Sequence, residues 1–358
     1  MDYLHKFDTN TEYNNDKDNF KWATVSYVED IEEVKYMENN MLYQPLTLIP
    51  KTDDMSFTIK IGWQVKTTDL QRIQYKKEGD SDWTLLVENT NRTQSNGYLT
   101  ATTPVIQKGR KIFLRGFGTR TATNSNYPSS TFINCSETLD AERRFDVEGN
   151  IMSLLFGNDF SSQTALTADF AFAQLFNGAY ITSAKNLLLP ATTLSFACYM
   201  QMFNNSTIIH APAILPALQM TTSCYNTMFS NCNNLEVPPI LPSKNLAPYC
   251  YSGMFIDCWR LFTAPKLPAK TLVTGCYMQM FCNCFKLNHI EMMGLNNTDG
   301  TNVCTSSWVS QVASAGVFVK NRFAKWNTTG SSGVPSGWTV VYSYEMEPKP
   351  NIVYYENT

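Results

Sequence analysis

Ten cysteines and three histidines are the residues of this 358-residue chain most suited to ligate a soft metal, attack an electrophile or move a proton near neutral pH. The histidines, His5, His210 and His289, are scattered, so the commonest general base is nearly absent. Seven of the cysteines fall on two ladders with a 26-residue period: Cys198, Cys224, Cys250 and Cys276, then Cys232, Cys258 and Cys284. Such ladders admit three readings: disulfides, zinc ligands or core. Copies stacked roughly 5 Å apart are close enough to bridge, but in like rotamers they point in parallel and not at each other. Cys282-Asn283-Cys284 with Cys276 has metal-like spacing, yet neither a histidine nor a second C-x-x-C completes it. The regular period favours cysteine as a small buried hydrophobe. The sequence also lacks G-x-S-x-G, a Walker loop and H-E-x-x-H. Between residues 160 and 300 acids are sparse and never recur where two could pair for glycosidic cleavage. A noncatalytic chain without metal or cofactor is expected.

The 26-residue period must also position everything else. Each Cys-Tyr pair (Cys198-Tyr199, Cys224-Tyr225, Cys250-Tyr251, Cys276-Tyr277) is followed by Met-Phe (Met202-Phe203, Met228-Phe229, Met254-Phe255, Met280-Phe281). Leu-Pro recurs in step at Leu189, Leu215, Leu241 and Leu267, and a degenerate earlier unit ends at Leu175-Phe176, one residue out of register. One unit of this length cannot bury its own apolar face, whereas stacked copies bury a continuous core. Leu246, Cys250, Tyr251 and Met254 fall at helical spacing, which predicts a turn or two of helix in each unit. The stretch at residues 235–238, and its copies starting at Leu261 and Leu287, predicts a short strand ended by proline.

The units disagree at the two positions after the second cysteine. One carries Asn233-Asn234, but the next two carry Trp259-Arg260 and Phe285-Lys286. A column of flat aromatics beside a column of cations suits a sugar ring or a neighbouring chain. The competing reading is that Trp259 and Phe285 merely cover the seam between units.

Composition narrows the rest. With 16% charged and 43% hydrophobic residues and a net charge of -3, the chain has no general basic field for nucleic acid. No run of eighteen apolar residues could cross a bilayer, and the first eight residues do not form a secretory signal. Residues 41–157 alternate apolar and polar in short runs, with a hairpin signal at residues 78–82, and predict a small antiparallel β-sandwich. Residues 1–40 offer isolated anchors, among them Leu4, Phe7, Trp22 and Tyr27, beside an acidic run containing Glu29, Asp30, Glu32 and Glu33, and suit an arm that orders on a partner. Residues 293–341 read as a cap on the repeats of residues 158–292, and residues 342–358 as a tail.

The C-Y-x-x-M-F-x-x-C unit with its Leu-Pro spacer resembles the leucine-rich repeats of BspA-like surface proteins, over about residues 165 to 292. The layout is similar to virion proteins of crAss-like and other gut Bacteroides phages. The similarity rests on Tyr3-Leu4-His5-Lys6-Phe7-Asp8-Thr9, on Trp22 with Val25-Ser26-Tyr27-Val28-Glu29, and on Phe145-Asp146-Val147-Glu148-Gly149-Asn150-Ile151. The chain departs from that family in its 17-residue tail and in the insertion at residues 115–144.

The resemblance implies a multidomain fold, a small β-sandwich followed by a leucine-rich-repeat solenoid of short strand plus short helix. It implies a head fibre or other capsid-attached appendage, made in the host cytoplasm and carried on the virion, with the arm bound to capsid or other virion proteins. A homo-oligomer is expected, a trimer before a dimer, with surface glycans as the outward contact and neither nucleic acid nor membrane as partner. A phage tail fibre and an exported Bacteroides adhesin are the alternatives.

Overall fold

Short runs of alternating apolar and polar residues dominate the first part of the chain, and in the computed structural model they form eight strands. These are β1 (Leu46–Pro50), β2 (Phe57–Gly62), β3 (Arg72–Lys77), β4 (Thr84–Glu88), β5 (Tyr98–Thr102), β6 (Ile112–Phe117), β7 (Thr131–Cys135) and β8 (Phe145–Asn150). The structure describes residues 41–52, 54–62, 72–88, 98–117, 131–135, 143–296, 304–326 and 328–343. The strands pair antiparallel in two sheets, one ordered β4-β3-β6-β1-β8 and the other β5-β2-β7. A turn with Gly79 at a φ of 96° joins β3 to β4. Leu46, Leu48, Ile112, Leu114 and Val147 of the first sheet and Ile59 and Ile133 of the second are buried, and Phe57 meets Phe145 edge to face at 5.1 Å. A single helical turn, α1 (Ser153–Phe156), follows β8. Its buried Ser153 hydroxyl donates to the Leu114 carbonyl at 2.8 Å and accepts the Leu46 amide at 2.9 Å.

The first sheet does not end at β8. The two-residue strand β9 (Leu187–Leu188) pairs parallel with it, Gly149 opposite Leu187. The Ile133 amide of the second sheet donates to the Leu175 carbonyl. The first repeat unit is therefore laid directly on both sheets.

Each unit then lies over the one before. Phe172, Tyr199, Tyr225, Tyr251 and Tyr277 stack with ring centroids 5.6–6.0 Å apart. Phe176, Phe203, Phe229, Phe255 and Phe281 form a second column at 5.3–5.7 Å. The out-of-register unit thus still supplies a ring to both columns. Parallel bridges at Ser183↔His210, His210↔Val237 and Thr263↔His289 run up one side. They widen into a parallel sheet of β10 (His289–Met292), β11 (Val317–Asn321) and β12 (Thr339–Ser343). Trp308 tilts over Phe281 and packs on Phe318 and Trp326, and its indole N–H reaches the Gly333 carbonyl at 2.9 Å.

The expected strand-plus-helix leucine-rich-repeat solenoid behind a sandwich is corrected: the regular elements named among the described residues are mostly β-strands in three sheets, the repeats are built mainly of turns, and the short helix α1 lies ahead of them. Backbone conformation explains the absence. Ser223, Thr227 and Asn231, four residues apart, all have φ near +50 to +60°, as do Tyr249, Gly253 and Asp257 in the next unit. The amides of Cys224, Asn226, Met228, Ser230 and Cys232 bond carbonyls three residues back at 3.1–3.3 Å. Those of Ser223, Tyr225, Thr227, Phe229 and Asn231 bond the following unit, to Pro248, Cys250, Ser252, Met254 and Ile256, at 2.7–3.1 Å. Every backbone donor of the segment is satisfied without a helix. Left-handed conformation costs a non-glycine residue about 1–2 kcal/mol, which burial of the ring columns and the shared backbone bonds offset. The strand expected at residues 235–238 is reduced to the single bridge at Val237, and a full strand appears only at β10.

Candidate functional site

The thiols come first, because they had the widest chemical range. Nine described cysteines are unbridged, all but Cys282 buried, and no group of three or more His, Cys, Asp or Glu among the described residues could hold a metal. Cys232, Cys258 and Cys284 donate their thiols to the Phe203, Phe229 and Phe255 carbonyls of the unit before, at 3.0, 3.2 and 3.0 Å. A carbonyl that already accepts an amide thus receives a second, weak donor, which valine or alanine could not supply. Burial pushes the Cys198 thiol up to about 11 and those of Cys232 and Cys250 up to about 12, so the reactive thiolate is suppressed. Burial also lowers His289, with Glu291 pulling the other way. The Tyr199, Tyr251 and Tyr277 hydroxyls are enclosed without a hydrogen-bond partner, and burial first, then neighbouring thiols, push their pKa well above the usual tyrosine range and keep them neutral. These columns are interior structure.

The exposed features have a simple origin. In three successive units a cysteine and a leucine three residues on are both buried and close a turn: Cys232–Leu235, Cys258–Leu261 and Cys284–Leu287, with amide-to-carbonyl distances of 3.0, 3.2 and 2.9 Å. A turn anchored at both ends must project its two central residues outward. Those are Asn233 and Asn234, Trp259 and Arg260, and Phe285 and Lys286. Trp259 and Phe285 are 47% and 49% exposed, their rings 6.3 Å apart and tilted by 43°. They touch along the seam but leave about half their surface free.

The flanking groups complete the edge. Arg260 Nη1 lies 3.2 Å from Glu236 Oε1, both side chains about half exposed. Lys286 Nζ sits 5.2 Å above the ring of Phe262, itself 49% exposed. Asn233, in the column of Trp259, is half-buried, and its Oδ1 is enclosed beneath the edge without a hydrogen-bond partner. The structure therefore brings together Trp259, Arg260, Phe285 and Lys286 and adds Phe262 and Glu236, which reasoning from the pair after the second cysteine missed. The signal for Phe262 was present, since it follows the inward Leu261 by one residue and must face out. Leu4, Phe7, Trp22 and Tyr27, the anticipated anchors, and the acidic run beside them lie outside the described residues. Among the described residues no helix is long and apolar enough to cross a membrane. No protein-family model matches the sequence, and neither a curated protein nor a solved structure is significantly similar to it.

Proposed function

We propose that the chain is a noncatalytic appendage of a bacteriophage particle, of head-fibre type, whose stacked units hold surface carbohydrate along the Trp259–Phe285 edge. The observation that carries this reading is the edge itself: three half-exposed aromatic rings from two adjacent units, with two cations beside them. Aromatic faces take the apolar face of a sugar ring, and flanking polar groups fix its orientation. The turns supply rigidity, because each is closed by a buried cysteine and a buried leucine. Many copies on one particle would turn weak contacts into firm attachment.

The test is a glycan array probed with the full chain and with Trp259→Ala. Binding to a subset of glycans, weakened at least about tenfold by the substitution, is expected. Identical profiles for the two proteins would remove the edge from the function. Mass spectrometry of purified particles then tests placement on the virion, where the intact chain is expected as a stoichiometric component.

A further inference from the structure

We infer that the carbohydrate held at this edge is acidic, a polysaccharide carrying carboxylates, as uronic acids do; this rests on the carbohydrate reading above and names its chemistry. Trp259 and Phe285 occupy the first central position of their turns, and Arg260 and Lys286 the second, so the edge is two parallel columns, one aromatic and one cationic. A sugar chain running along the stack lays its rings on the first column and brings its substituents to the second. Lys286 makes no ion pair among the described residues; its ammonium rests over Phe262 and stays exposed. Arg260 engages Glu236 through one nitrogen, in an exposed pair that contributes little to stability. Its guanidinium fork fits a carboxylate in two-point fashion.

Glu236 then has a defined part. It occupies Arg260 in the free protein, and an incoming sugar carboxylate must displace it. Removing its charge should therefore improve binding of acidic chains and leave neutral ones alone.

The experiment uses the full chain and paired probes: oligogalacturonate and capsular polysaccharides, each native and with carboxyls reduced to alcohols. The native forms are expected to bind about tenfold tighter than the reduced forms and to weaken with salt. Arg260→Gln and Lys286→Gln should each lower affinity for the native forms about fivefold, and Glu236→Gln should raise it about two- to fivefold, with no change for reduced forms. Equal binding of native and reduced forms, both lost in Trp259→Ala, would overturn the acidic assignment while leaving the carbohydrate reading intact. Binding of neither form would overturn both. Native-form binding unaltered in the Arg260 and Lys286 variants would overturn the role of the cation column.

Discussion

The two antiparallel sheets and the stacked units satisfy their backbones by different routes. In the sheets the strands are joined by amide-to-carbonyl ladders, with amides such as those of Leu46 and Ile133 turned to other segments, and the side chains need only alternate. Leu48 faces Val147 across one such ladder, but many apolar residues would serve there. In the stack the amides alternate between a local turn and the following unit, which requires a left-handed residue every fourth position and one ring directly over another. A sheet tolerates variety and is fixed by register; the stack tolerates little variety and is fixed by repetition. Loss of one unit must therefore be felt by both neighbours.

Alkali should separate the regions most sharply. Cys198, Cys232 and Cys250 hold their protons more tightly when folded than when unfolded, so the folded stack binds more protons at high pH. Their contribution is complete below the unfolded thiol range, about 8.5, and is lost as pH rises through about 11 for Cys198 and about 12 for the other two. The calorimetric midpoint should fall across that window, with the near-ultraviolet signal of the tyrosine column lost before the far-ultraviolet signal of the sheets. Simultaneous loss would erase the distinction.

Phe255→Ala comes next, at about 3–5 kcal/mol. Hydrogen exchange should quicken at the amides of Phe229 and Phe281 as well, whereas Phe57→Ala, of similar cost, should leave both protected. A smaller pair compares glycines. Gly149 in β8 has a φ of 85°, and a methyl there would run into the Pro45 carbonyl, so Gly149→Ala should cost about 3 kcal/mol or more. Gly253 shares its stack position with Gln201, Thr227 and Gln279, all left-handed, and a methyl there would meet side-chain ends of Thr227 and Ile256 at 2.8 and 2.9 Å and not backbone, so Gly253→Ala should cost less, about 2 kcal/mol in denaturant titration. The smallest effect has the opposite sign. Tyr251→Phe deletes a buried hydroxyl that has no partner and should stabilise by about 1 kcal/mol, read as a higher melting temperature.

The 26-residue period was fully legible, and with it the ring columns, the cysteine ladders and the outward pair at Trp259 and Phe285. The local conformation was not. Leu246, Cys250, Met254 and Cys258 repeat at a strict four residues, and four residues on an α-helix overshoot a full turn by about 40°. Two such steps look helical; three do not, and the fourth member of the series, Cys258, was the available sign. The αL residues themselves left weak traces, since Asn205, Asn231, Asp257 and Asn283 suit that region while Ala197, Tyr249 and Gln279 do not announce it. The pairing of β8 with β9 was illegible because two residues carry no period. Phe262 and Glu236 escaped because the edge was read as two positions per unit, when the inward Leu261 and Leu235 frame a further outward position each.

The alternation of bonds also gives the stack an electrical sense. In the peptide joining Cys250 to Tyr251, the carbonyl points back to Tyr225 and the amide points forward to Cys276. The peptides joining Ser252 to Gly253 and Met254 to Phe255 do the same, and their dipoles add along the axis as they do in a helix. Tyr199 is an exception, its amide turned back to Ala171 next to the sheets. The stack therefore carries partial negative charge towards the sheets and partial positive charge towards β12, a field that lengthens with every unit added.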